Sequence, residues 1–143
     1  MNGKPFFDTN VLIYALVVGK DPRITHARNL IEAGGHVSVQ VLNELVAVLR
    51  RKFAKPWKEI IDALRDLGEF CPSPRAITFR THTKALEIAQ RYDYRIYDAL
   101  VIAAALEASA TVLYSEDMRD GQVIEGLTIT NPFRSSGRTA PRR

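Results

Sequence analysis

Apolar residues in this chain recur with two periods, and the period changes where acids appear. Residues 4–7 close an apolar run at Phe6-Phe7, Asp8 interrupts it, and an apolar segment of helical spacing follows over residues 10–18. We read the first as a buried strand and the second as a helix, with Asp8 on the turn between them. Residues 24–33 place Ala27, Leu30 and Ile31 on one helical stripe, and Gly34-Gly35 stops it. A short alternating run at 36–39 predicts a second strand. Residues 40–53 return to helical spacing, with Leu42, Leu45, Val46, Leu49 and Phe53 on one face and Glu44 off it.

Pro56 suits the first turn of a further helix. That helix carries Ile60, Ile61, Leu64 and Leu67 inward, and Gly68 is expected to end it. Residues 69–71 read as a brief third strand, cut off by Pro72 and Pro74. A helix over 78–92 buries Ala85, Leu86 and Ala89. Residues 95–106 are apolar nearly all round, which predicts the most buried helix of the domain, with Asp98 in its first turn. The β-branched run 111–114 breaks off at Ser115-Glu116-Asp117, as the first strand breaks off at Asp8. Asp120-Gly121 marks a turn, and a last strand covers 127–130. Strands alternating with helices predict an α/β fold: a mostly parallel sheet of four to five strands with helices on both faces.

Composition narrows the class. The 143 residues suit one domain, residues 1–133, followed by a flexible basic tail over 134–143 that lacks any periodicity. No apolar run approaches the roughly 20 residues that span a bilayer, so no membrane role is expected. The single cysteine, Cys71, excludes an internal disulfide and fits a reducing cytoplasm. The net charge of +4 rests on Arg134, Arg138, Arg142 and Arg143, all in the last ten residues. A local basic run, Arg50, Arg51, Lys52, Lys55 and Lys58, reads first as a solvated helix face. Arg50, Arg51 and Lys52 are also candidates for following a phosphate backbone.

Asp8, Glu44, Asp98 and Asp117 each have a simple explanation as a turn or helix-start acid. Together they share one position: just after a strand, or in the first turns of a helix. In a parallel α/β layout such points face one edge of the sheet, where ligands bind. Carboxylates gathered there repel by on the order of 4 kcal/mol per pair at about 4 Å and an effective dielectric of 20. A cation relieves that. An all-oxygen set selects a hard ion, Mg²⁺ or Mn²⁺, over zinc. The histidines, His26, His36 and His82, are scattered and show no ligand spacing. Such an ion activates water and stabilises charge on a phosphodiester, which is nuclease chemistry. Other α/β chemistries lack their residues. No Walker loop, no G-x-G-x-x-G, no D-x-D at Asp8 and no G-x-S-x-G elbow is present.

Three segments then carry a family likeness: Phe7-Asp8-Thr9-Asn10-Val11-Leu12, the run from Tyr97-Asp98 to Ala103-Ala104, and Leu113-Tyr114-Ser115-Glu116-Asp117-Met118. With Glu44, they resemble the PIN-domain ribonucleases, in particular the VapC-type toxins of toxin–antitoxin pairs. The resemblance covers roughly residues 4–133. It implies a three-layer PIN-like fold and a catalytic set of Asp8, Glu44, Asp98 and Asp117. Asp8, Asp98 and Asp117 would bind Mg²⁺ or Mn²⁺, and Glu44 would shape the ion's water shell. Thr9, Asn10 and Ser115 would orient these carboxylates. It also implies an RNA substrate cut endonucleolytically, a homodimer and a cognate antitoxin partner. Glu116 departs from the pattern, since many members carry Asn there. The alternative expectation is a non-catalytic PIN-like module that binds RNA or protein without cutting.

Overall fold

The computed structural model describes residues 3–134, so the expected basic tail lies outside the described residues apart from Arg134. Strand β1 is only Phe6–Phe7, both fully buried. Helix α1 (Thr9–Leu16) starts one residue beyond Asp8, whose side chain caps it. Then come α2 (Pro22–Glu32), α3 (Val39–Arg51), α4 (Trp57–Phe70), α5 (Phe79–Tyr92) and α6 (Ile96–Glu107). Strands β2 (Val112–Tyr114), β3 (Val123–Ile124) and β4 (Leu127–Thr130) close the chain. They form one four-stranded sheet in the order β1-β2-β4-β3. β1 and β4 flank β2 in parallel, while β3 pairs antiparallel with β4. This is the mostly parallel α/β sheet that the hydrophobic pattern implies.

The register is set by burial. Phe6 faces Leu113 and Phe7 faces Tyr114, so two short apolar runs pair side by side. Around them pack Leu12, Leu45, Ile60, Ile88, Ile102 and Ile129, all fully buried. Helix α6 buries every residue from Ala99 to Ala105, consistent with its unbroken apolar sequence. α5 packs along it, and α1 packs on α2 and α3. No helix among the described residues is long and apolar enough to cross a membrane.

Two expected strands change, one hairpin is added, and Ile61 and Leu86, expected to face the core, are exposed. The strand at 36–39 reduces to single parallel bridges, His36 to Phe6 and Ser38 to Arg75. The reason is local: the Ser38 hydroxyl accepts from the Val41 N–H at 3.1 Å, so the chain turns into α3 directly. The strand at 69–71 is instead the last turn of α4, which runs through Gly68 to Phe70. An isolated glycine weakens a helix by only about 1 kcal/mol, and the Leu67 side chain pins this turn to the core. Arg75, beyond the two prolines, makes the bridge that 69–71 was expected to make. Finally, β3 pairs with β4 through Glu125-Gly126, both at positive φ (50° and 88°). That two-residue turn matches the strand twist.

The turn after α2 presses closely on β1. A Cβ on Gly35 would lie 2.5 Å from the Phe7 ring and 2.6 Å from the Pro5 carbonyl oxygen. Only glycine lets the His36 N–H reach that carbonyl at 2.8 Å while the Phe7 N–H donates to the His36 carbonyl at 3.0 Å. β1 is thereby held from both sides, immediately before Asp8.

Candidate functional site

Asp8 leaves β1 with its backbone N–H donating to the Tyr114 carbonyl at 3.0 Å, so the ends of β1 and β2 are tied together. One carboxylate oxygen accepts from the Thr9 N–H at 2.7 Å, which caps α1. The other accepts from the Ser115 hydroxyl at 2.8 Å. Ser115 itself is held by donation from its N–H to the Thr130 carbonyl. Asp8 is buried, and burial pushes its pKa from 3.8 up to about 6. The Ser115 and Thr9 hydrogen bonds oppose that rise, while the charges of Asp98 and Glu44 add to it.

The other acids reach this point from three separate elements. Glu44, half-buried on α3, accepts from the Thr9 hydroxyl at 2.9 Å. It lies in the second turn of α3, past the orphan N–H groups of the helix start, so a dipole role accounts for it poorly. Asp98 lies in the first turn of α6. Its pKa is raised by burial and by the charge of Asp117, against the opposing charge of Arg95, whose guanidinium is 3.8 Å away. Asp117 is exposed on the loop after β2. It accepts from the Asn10 side-chain amide, and its own N–H donates to the Ser115 hydroxyl at 3.3 Å. Thr9, Asn10 and Ser115 therefore each connect one acid to another, or to the Asp8 backbone.

The donor chemistry fits a hard divalent ion: the acids present oxygen alone, and the most buried of them is destabilised while charged. Among the described residues, however, no three Asp, Glu, His or Cys side chains close up as a ready-made coordination sphere. Mg²⁺ does not need one, since it keeps several waters and takes one or two carboxylates.

A cavity of about 420 Å³ opens beside Asn10 and is lined by Tyr14, Val17, Arg51, Lys52 and Glu116 among others. Arg51 and Lys52 thus line one trench with Asn10, whose side-chain amide donates to Asp117, and neither forms an ion pair among the described residues. Arg50 does not join them. Its guanidinium lies over the Trp57 ring at 4.7 Å and donates to the Lys55 carbonyl at 3.1 Å. Lys55 and Lys58 pair with Glu59 and Asp62 on α4.

Two residues of this wall carried no signal in the sequence. Arg23 contacts Glu116 at 3.2 Å and Asp21 at 2.7 Å, and lies over the Tyr14 ring at 4.7 Å. Burial and then the charge of Glu116 push the Tyr14 phenol pKa up, against the opposing charge of Arg23. The extra acid beside Asp117 is therefore already partnered, across 93 residues of chain that no local pattern links.

The family model for the PIN domain matches residues 6–122, the segment that carries all four acids. The chain belongs to the PIN-domain family. Solved structures show the same fold. VapC20 from Mycobacterium tuberculosis, a toxin that cleaves the sarcin–ricin loop, aligns with a TM-score of 0.64 and 23% identity, covering 79% of this chain and 89% of that one. A toxin–antitoxin complex from Klebsiella pneumoniae aligns with a TM-score of 0.68 and 20% identity, covering 90% and 98%. VapBC2 from Rickettsia felis, bound to a DNA fragment from its promoter, aligns with a TM-score of 0.64 and 16% identity, covering 87% and 96%. No curated protein matches this PIN domain.

Proposed function

We propose that this PIN domain is a Mg²⁺- or Mn²⁺-dependent endoribonuclease, acting as the toxin of a toxin–antitoxin pair. The observation that carries the reading is the hydrogen-bond wiring of Glu44, through Thr9, and of the Asp117 backbone, through Ser115, to buried Asp8, whose charged form is disfavoured without a cation. Asp8, Asp98 and Asp117 would hold the ion, and Glu44, tied to Thr9, would orient its water shell. When bound, the ion supplies a water of lowered pKa and a positive charge against the scissile phosphate. The chain's own residues do the rest. Ser115 and the Thr9 N–H fix both Asp8 oxygens. Asn10 fixes Asp117. Arg51 and Lys52 would hold RNA phosphates along the trench, a role that Arg50, committed to Trp57, does not share.

The toxin role draws on structural neighbours named as toxins or toxin–antitoxin complexes. It brings with it an antitoxin partner, a homodimer and a cytoplasmic site of action. One observation favours the non-catalytic alternative, namely that no three acids form a closed cage among the described residues. Cleavage mapping separates the two. Wild-type protein and Asp8→Asn protein are incubated with total cellular RNA, with Mg²⁺ or Mn²⁺ and with chelator. The nuclease reading expects discrete cuts with wild type and metal only. Cuts that persist in Asp8→Asn, or none under any condition, would overturn it.

A further inference from the structure

Asp117 sits on an exposed loop after β2, and Asp98 sits in the first turn of α6. What ties that loop to the start of α6 is visible two residues further on. Arg119 lies two residues past Asp117. Its guanidinium donates to the Tyr92 carbonyl, donates to the Asp93 carbonyl at 2.9 Å, and lies over the Tyr94 ring at 4.4 Å. These carbonyls are at the end of α5, where orphan acceptors attract a cation. Behind the guanidinium, the Arg119 N–H donates to the Tyr94 hydroxyl at 3.3 Å, and that hydroxyl donates to the Gln122 side-chain oxygen. The loop is thus bolted at Arg119 and Gln122 to residues 92–94. Two residues after Tyr94, α6 begins, with Asp98 in its first turn.

We propose that Arg119, with Tyr94 and Gln122, is a positioning clamp that fixes the place of Asp117 relative to Asp98. The clamp touches neither substrate nor ion. It acts by holding the β2 loop to the turn that launches α6. The inference rests on the proposed carboxylate site, and it is read without catalysis.

Thermal melting across a Mn²⁺ series tests it, using wild type, Arg119→Ala and Arg119→Lys. The Mn²⁺ concentration at the midpoint of the melting-temperature shift should rise by about tenfold in Arg119→Ala, the scale seen when a ligand-orienting contact is lost. A plain cap of α5 lowers the metal-free melting temperature and leaves that midpoint in place, and that result overturns the proposal. The KM for RNA should stay unchanged. Arg119→Lys, with one point charge in place of the fork, should fall between the two. Should Arg119→Ala not fold, Tyr94→Phe removes the hydroxyl bridge alone and should shift the Mn²⁺ midpoint in the same direction. An unmoved midpoint there contradicts the clamp. Wild-type protein with no Mn²⁺-induced shift sinks the proposed carboxylate site and the clamp with it, whereas a normal wild-type shift with an unmoved Arg119→Ala midpoint sinks the clamp alone.

Discussion

β1 and β2 run side by side and each is followed by an acid, yet they deliver it in opposite physical states. Asp8 follows β1 at once, is buried, and has both oxygens engaged, by the Thr9 N–H and the Ser115 hydroxyl. Asp117 comes three residues after β2, is exposed, and has one side-chain partner, Asn10. The same strand-to-loop step therefore produces a rigid, energetically unfavourable carboxylate at one strand and a solvated, adjustable one at the next. In the proposed site, the first would define where a cation sits and the second would close around it. Catalytic groups are held best when packing and hydrogen bonds lock them, and Asp8 is the better locked of the two.

The comparison can be broken by exchanging charge for amide at each end. Asp8→Asn should reduce metal-dependent RNA cleavage by roughly a thousandfold, because the several kcal/mol of Lewis-acid stabilisation would be lost. Asp117→Asn should reduce it by only about tenfold, since its solvated position lets water substitute as a ligand. Equal losses in single-turnover cleavage would erase the distinction drawn between the strand ends.

Stability against pH sharpens it. Asp8 binds its proton more tightly when folded, at a pKa of about 6, than when unfolded, near 3.8. The folded state therefore loses stability as pH rises from about 4 to about 6, and the loss then levels off. The loss attributable to Asp8 is on the order of 3 kcal/mol, from about 1.4 kcal/mol per pKa unit. In metal-free protein, Asp8→Asn should be more stable than wild type at pH 7 by that order, and the gap should vanish below pH 4. Denaturant melts across this range check it.

Ser115→Ala should lower cleavage by about ten- to a hundredfold, as for other groups that orient a metal-binding side chain. It leaves one Asp8 oxygen without its donor, and kinetics with varied Mn²⁺ should show the loss in metal affinity. The smallest effects belong to the trench. Arg51→Ala with Lys52→Ala should weaken binding of single-stranded RNA to Asp8→Asn protein and cut the slope of log K against log salt by about 1.4, near 0.7 per phosphate contact. Arg50→Ala should leave that slope unchanged.

Much of this architecture was legible because its signals are local. The β1–Asp8–α1 step, the apolar α6 with Asp98, and the β2 ending at Asp117 each announce themselves within eight residues. The failures were also local in cause. At 36–39, the capping power of Ser38 outweighed the alternating pattern. At 69–71, helix continuation outweighed the glycine. The β3–β4 hairpin had a readable signal in Glu125-Gly126, which lies between two apolar pairs. The links among the acids were not legible at all. Thr9 to Glu44, Asn10 to Asp117 and Arg23 to Glu116 span 35, 107 and 93 residues, and only the folded chain brings them together. The basic run was readable as charge, but which of its members face the trench depended on Trp57 drawing Arg50 aside.

The most direct measurement is calorimetric titration of Mn²⁺ into wild-type and Asp8→Asn protein at pH 7.5. Wild type should bind the ion saturably. Asp8→Asn should show that binding lost or weakened by orders of magnitude. Superimposable isotherms from the two proteins would contradict the claim that these carboxylates converge on one cation.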